Sequence, residues 1–153
     1  MEEKKYTPQP LEKVLKEKAD KGNGICLTQT CPLREHCLHY ILRTYTPESY
    51  LYTTCTNLNH PMMQTEKCPW YLSDKPVRMP LGLSNIYYDM PARIANPLKQ
   101  HLIRYFNRKR YYEYHFSRRP ITPEHEQYIR QAAIRFGWHQ PIEFKGYVED
   151  FLW

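Results

Sequence analysis

The chain has 153 residues, a formal charge of +6, 41% hydrophobic and 14% aromatic residues, and thirteen prolines against five glycines. That is the size of one ordinary domain with a thin core and stiff, irregular connections. No window approaches the roughly 18 uninterrupted apolar residues of a membrane span, and the charged opening stretch lacks the apolar centre of a secretory leader.

A cytoplasmic protein with no membrane association is therefore expected. In a reducing compartment its five cysteines are expected as thiols or metal ligands rather than disulfides. The positive charge favours acidic partners without specifying a fold.

Residues 1–24 read as an N-terminal helical arm. Leu11, Val14, Leu15 and Ala19 recur at helical spacing, and Lys21-Gly22-Asn23-Gly24 supplies the stop. Residues 25–80 form a cysteine-rich segment. Within it a helix is predicted from Leu33 to Arg43 after Pro32, and a short strand over Ser49–Thr54 from its aromatic and β-branched content. Residues 81–153 form a basic aromatic segment. Asn96-Pro97 reads as an N-cap and first helical residue, with Leu98, Leu102, Tyr105 and Phe106 on one face. Arg110–Phe116 reads as a strand from its composition and period-2 alternation. Thr122-Pro123 opens a further helix, Glu124 and Glu126 complement its dipole, and Gly137 closes it. The apolar end of the tail predicts that Trp153 is docked.

Three cysteines, Cys26, Cys31 and Cys37, fall close together, with Cys55 and Cys68 further on. Soft thiolate sulfur suits zinc and iron–sulfur iron, and ligation from distant segments turns binding energy into folding energy. Cys26, Cys31, Cys37 and Cys68 are the preferred metal ligands. Cys31 and Cys68 each precede a proline that fixes the chain direction beside the ligand. Cys55, between threonines in the strand-like run, reads as a packed small side chain. His36, His39 and His60 are the substitute ligands, and buried free thiols are the alternative to any metal. Gaps of four and five residues exceed those of the tightest zinc motifs and tilt toward a cluster. Structural zinc is nevertheless the commoner outcome, so zinc is the expected cofactor and an iron–sulfur cluster the alternative.

The stretch Cys31-Pro-Leu-Arg-Glu-His-Cys37-Leu-His-Tyr40 resembles the Cys-Pro-x4-Cys-x-x-Tyr segment of the WhiB iron–sulfur regulators. The match is local: Cys26 lies two positions further from Cys31 than that family's spacing. A broader resemblance is to an uncharacterised Bacteroidetes family of cysteine-bearing proteins. It is carried by the cysteine order, Asn59-His-Pro61, Cys68-Pro-Trp-Tyr, Arg110-Tyr111-Tyr112, the Pro123-to-Arg130 helix and Trp153. This resemblance implies the same four cysteines and no assigned activity.

Between Lys99 and Arg119, Arg104, Arg108, Lys109, Arg110, Arg118 and Arg119 interleave with Tyr112 and other aromatics, and Glu113 is the only acid. Guanidinium heads for phosphates beside faces for stacking are what single-stranded nucleic acid needs. The same residues also serve as a solvated strand face whose arginine stems cover rings. No Gly-rich phosphate loop, nucleophile elbow or His-Glu-x-x-His is present, and a four-cysteine site has no open position for substrate. No catalytic residue is assigned.

The sequence thus predicts a single small α+β domain with a metal-stapled segment and a helix–strand–helix C-terminal unit. The expected function is non-catalytic, metal-stabilised binding of nucleic acid or a ribonucleoprotein. A protein-interaction or iron–sulfur regulatory protein is the alternative.

Overall fold

In a computed structural model, residues 5–63 and 65–153 are described; the first four residues of the arm and Gln64 lie outside them. Among the described residues there are five α-helices and one two-stranded sheet, an α+β architecture. No described helix is long and apolar enough to cross a membrane. The chain divides into two compact units. One takes Gln9–Val77 with Phe151–Trp153, and the other takes Arg78–Asp150 with the described part of the arm up to Pro8.

The cysteine-rich unit begins with α1, Leu11–Asp20, which buries Leu15 and Ala19 one helical turn apart. Gly22 adopts a positive φ of 69°, its N–H bonds the Ala19 carbonyl, and the Asn23 N–H bonds that of Lys18. Glycine suits this closing turn because it has no Cβ to strain there. A 3₁₀ turn over Arg34–His36 precedes α2, Leu38–Leu42, and a second turn, Arg43–Tyr45, follows it. The helix predicted over 33–43 is therefore broken. Cys37 is extended (ψ 116°), and its residue pairs with Ser73 in an isolated bridge instead of continuing a helix. The predicted strand over Ser49–Thr54 does not form; only an isolated bridge between Ile25 and Cys55 marks that region. Leu51 is 96% exposed and Tyr52 88% exposed, so the β-favouring side chains there find no sheet or core to pack on. The core of the unit is Leu15, Ala19, Ile25, Leu38 and Leu42, with Phe151 and Trp153 packed against it. The docking of Trp153 agrees with the sequence reading.

The second unit is built on β1, Val77–Leu81, and β2, Gly146–Asp150, with three helices between them in sequence. The Lys145 N–H bonds the Gly82 carbonyl, joining the end of β1 to the start of β2. The helix α3 runs from Ala92 to Phe106, so it starts earlier than Asn96-Pro97 predicts. Pro91 has the fixed φ that helix entry needs, and its carbonyl accepts from the Ile94 and Ala95 N–H groups. Pro97 lies inside the helix, where proline normally costs about 3 kcal/mol. Fully buried Leu98 and Leu102, with Phe106, offset that cost.

The segment predicted as a strand is α4, Arg108–His115. Asn107 caps it, its side chain accepting the Arg110 N–H at 3.0 Å. Tyr111 and Tyr114, three residues apart, are both buried, whereas Tyr112 and Phe116, four apart, stack at 5.9 Å on another face. Helical spacing and a cap thus outweigh the alternation. The last helix, α5, Pro123–Arg135, begins at Thr122, whose hydroxyl accepts the His125 N–H. It ends at Gly137 (φ 93°), closed by bonds from Gly137 to Ile134 and from Trp138 to Ala133. Both boundaries agree with the sequence. In the arm, Tyr6 donates its N–H to Ser117 and its hydroxyl to the Asp150 carboxylate.

Candidate metal centre and basic groove

Cys26, Cys31, Cys37 and Cys68 line one small cavity in the cysteine-rich unit, of about 10 Å³. Two of them stand on turns of the same construction. The Cys31 carbonyl accepts the Arg34 N–H at 3.3 Å, and the Cys68 carbonyl accepts the Tyr71 N–H at 3.1 Å. In each turn proline follows the cysteine, where its fixed φ suits the second position. The other two are held by backbone pairing. Cys26 donates its N–H to His39 at 2.9 Å, and Cys37 is fixed by its bridge to Ser73 and by the Leu38 N–H to Leu72 bond at 2.8 Å.

Cys26 and Cys37 are buried, Cys31 and Cys68 half-buried, and all five thiols are free. The sulfurs line the wall without converging: among the described residues no three Cys, His, Asp or Glu side chains are close enough to hold an ion as placed. Met63 adds a thioether to the wall, and the Cys68 thiol points to it at 3.9 Å. Burial pushes the Cys26 thiol up, but the Thr28 N–H and hydroxyl, the Thr56 hydroxyl and the Arg43 charge outweigh it and hold the thiol below its ordinary value. Thr56 faces Cys26 without completing a good hydrogen bond.

Cys55 is exposed and does not reach this cavity; it lies on a separate apolar groove with His60 and Trp70. The packed role read for it from its threonine neighbours is thus corrected, since the strand that would have buried it is absent. The histidines are engaged elsewhere. His36 meets Asp74 at 3.0 Å, and His39 meets the Gly24 carbonyl at 2.9 Å while stacking on Trp70 at 4.7 Å. Burial lowers the pKa of His39 despite the Gly24 contact. The sequence reading missed Met63, Arg34 and Trp70 as wall residues. The Cys68-Pro-Trp-Tyr turn, a counterpart of Cys31-Pro-Leu-Arg, was the available clue.

In the other unit, Arg108, Lys109, Tyr112, Arg118 and Arg119 line one open groove of about 420 Å³, together with Glu113. Arg104 and Arg110, included with them from the sequence, do not line it. Arg110 lies on the side of α4 that faces Tyr114 and His125, where its charge acts on both. This follows from the correction of strand to helix: successive residues turn through about 100° instead of alternating between two faces. Arg119 is paired with Glu113 at 2.9 Å. The Arg108 guanidinium lies 5.8 Å from the Tyr112 ring centre, and that of Arg118 lies 5.2 Å from Phe116.

Behind the groove the core is rich in hydroxyl and ring contacts. Tyr111 donates to Tyr87 at 3.1 Å, and burial pushes both phenols up. Tyr114 meets His125 Nδ1 at 2.7 Å; burial, helped by Arg110 and opposed by Glu124, holds that imidazole below its ordinary value.

Two regions thus stand out, a thiol-lined cavity and a cationic groove, and they belong to a protein of a family without an assigned activity. The chain belongs to the family described as a family of unknown function (DUF6078), which it matches over residues 1–153. No curated protein and no solved structure matches it.

Proposed function

We propose that this chain is a non-catalytic binding module that holds nucleic acid, or the nucleic acid of a ribonucleoprotein, by its phosphate backbone. The observation that carries this reading is the groove on α4, which gathers Arg108, Lys109, Arg118 and Arg119 around Tyr112 with Glu113 as its single acid. Glu113 is already engaged by Arg119, which leaves the other cations for an anionic ligand. Phosphates release counterions when such cations neutralise them, and a ring beside them offers a stacking face. The cysteine-rich unit is read as the metal-stabilised scaffold of the module, with zinc as its ion and an iron–sulfur cluster as the alternative.

The test is fluorescence anisotropy of labelled single-stranded RNA and duplex DNA at rising salt. Affinity should fall steeply with salt, and Arg108→Ala and Arg118→Ala should each weaken binding and flatten the salt slope by about 1. Arg110→Ala should have little effect, because that side chain lies outside the groove. Binding that ignores salt and the groove arginines would sink the reading. A protein-interaction role without nucleic acid is favoured by a different observation. Leu51 and Tyr52 are almost fully exposed, and Trp70 is half exposed, in the cysteine-rich unit.

A further inference from the structure

We propose that Cys26, Cys31, Cys37 and Cys68 close as thiolates around one zinc-class ion, with Arg43 and the Glu35-paired Arg34 as its supporting cations. The inference deepens the metal-stabilised part of the reading above and assigns its ligands, nuclearity and supporting cations.

Three observations carry it. First, the ligands are presented by a repeated device. Cys31 and Cys68 each head a Cys-Pro turn closed by an N–H to carbonyl bond, and Cys26 and Cys37 are pinned by bonds to the backbone of His39 and by the bridge to Ser73. Second, the space fits one ion. A cavity of about 10 Å³ has room for a body the size of a single water, and a multi-atom cluster would have to displace the walls formed by Leu33, Tyr40 and Met63. Binding must still draw the sulfurs inward, since as placed no three of the described ligand-type side chains could hold an ion.

Third, the surroundings hold groups that lack a counterpart until a thiolate is present. Arg43 Nε and Thr56 Oγ1 are buried with no hydrogen-bond partner, an arrangement that is normally costly. Both act on Cys26. The Arg43 guanidinium is held 4.0 Å over the ring of Tyr40, which itself lines the cavity. Arg34 also lines the cavity, its guanidinium oriented by Glu35 at 2.8 Å and by the Gln29 carbonyl. A divalent ion and four thiolates carry a net charge of −2, with one proton released to solvent per thiol. The two guanidinium groups offset part of that charge, Arg34 less than Arg43 because Glu35 already pairs with it. Cys55 and His60 line a separate groove, and neither His36 nor His39 lines this cavity.

The experiment is metal reconstitution of the full chain under reducing conditions, with Co²⁺ as the probe and Zn²⁺ as the competitor. One Co²⁺ per chain is expected, with the intense visible bands of a tetrahedral site and sulfur-to-cobalt charge transfer, displaced by one Zn²⁺. Cys31→Ser and Cys68→Ser, at half-exposed positions, should each lower Zn²⁺ affinity more than about 100-fold, and Arg34→Gln by about 10–100-fold. Cys55→Ser should leave affinity unchanged. A folded chain that takes up no Co²⁺ overturns the proposal, as does equal loss from Cys55→Ser. Anaerobic protein carrying iron and labile sulfide overturns the single-ion centre in favour of a cluster. The two readings fail separately: Arg108→Ala with Arg118→Ala should keep one Zn²⁺, so lost RNA binding with intact metal sinks only the nucleic-acid reading.

Discussion

The two units differ in the size of their buried cores. The unit of Arg78–Asp150 packs Leu98, Leu102, Phe106, Tyr111, Tyr114, Ile129 and further buried residues into one continuous core. The cysteine-rich unit is of similar length, yet its core of Leu15, Ala19, Ile25, Leu38 and Leu42 is far smaller, and its described helices beyond α1 are single turns. A small core rarely outweighs the conformational entropy of its chain, and domains in that position usually carry a metal or disulfides. The difference gives the proposed metal its place: the five thiols lie in the unit with the smaller buried core.

Removing metal is the sharpest way to break this contrast. Chelation should unfold the cysteine-rich unit, because a structural zinc site contributes on the order of 10–16 kcal/mol at neutral pH. Amide exchange should then be fast over α1 and α2 while α3 and α5 stay protected. Equal loss of protection in both units would erase the distinction.

The converse prediction concerns Leu102, which is fully buried. Leu102→Ala should destabilise its own unit by about 2–5 kcal/mol in urea titration, through lost burial and the cavity left behind. Zn²⁺ stoichiometry should not change. Thr122→Ala removes the cap of α5 and should cost about 1 kcal/mol in the same unit.

The smallest expected effect is a pH dependence. His125 is held below its ordinary value in the folded state, first by burial, so the unfolded chain binds its proton more readily. Stability should therefore be intact at neutral pH and decline as pH falls through about 6.5, the unfolded value. Monitoring unfolding across pH 5 to 8 should show this decline, reduced in His125→Gln. An unchanged slope in that variant would show that His125 is not its source.

The stop of α1 and both ends of α5 were legible because each rests on local chemistry: glycine at a positive φ, threonine as an acceptor, proline in the first turn. Cys31 and Cys68 were legible as turn residues through the proline that follows each. Arg110–Phe116 was misread because its aromatic-rich composition suits a strand, while the deciding features were Asn107 as a cap and the three-residue spacing of Tyr111 and Tyr114. That error carried over to the basic face: on the helix Arg110 turns away from Arg108 and Lys109, which line the groove without it.

By itself, then, the sequence determined the α+β class, the family and the boundaries of α5. Those properties depend on residue chemistry within a few positions along the chain. Only the tertiary structure decided that Pro97 is tolerated inside α3, that 49–54 stays irregular, that Cys55 is exposed, and which arginines share a groove. Each of these depends on what lies across the fold from the residue: a core to offset a missing N–H, a strand to pair with, or a helix face to turn toward.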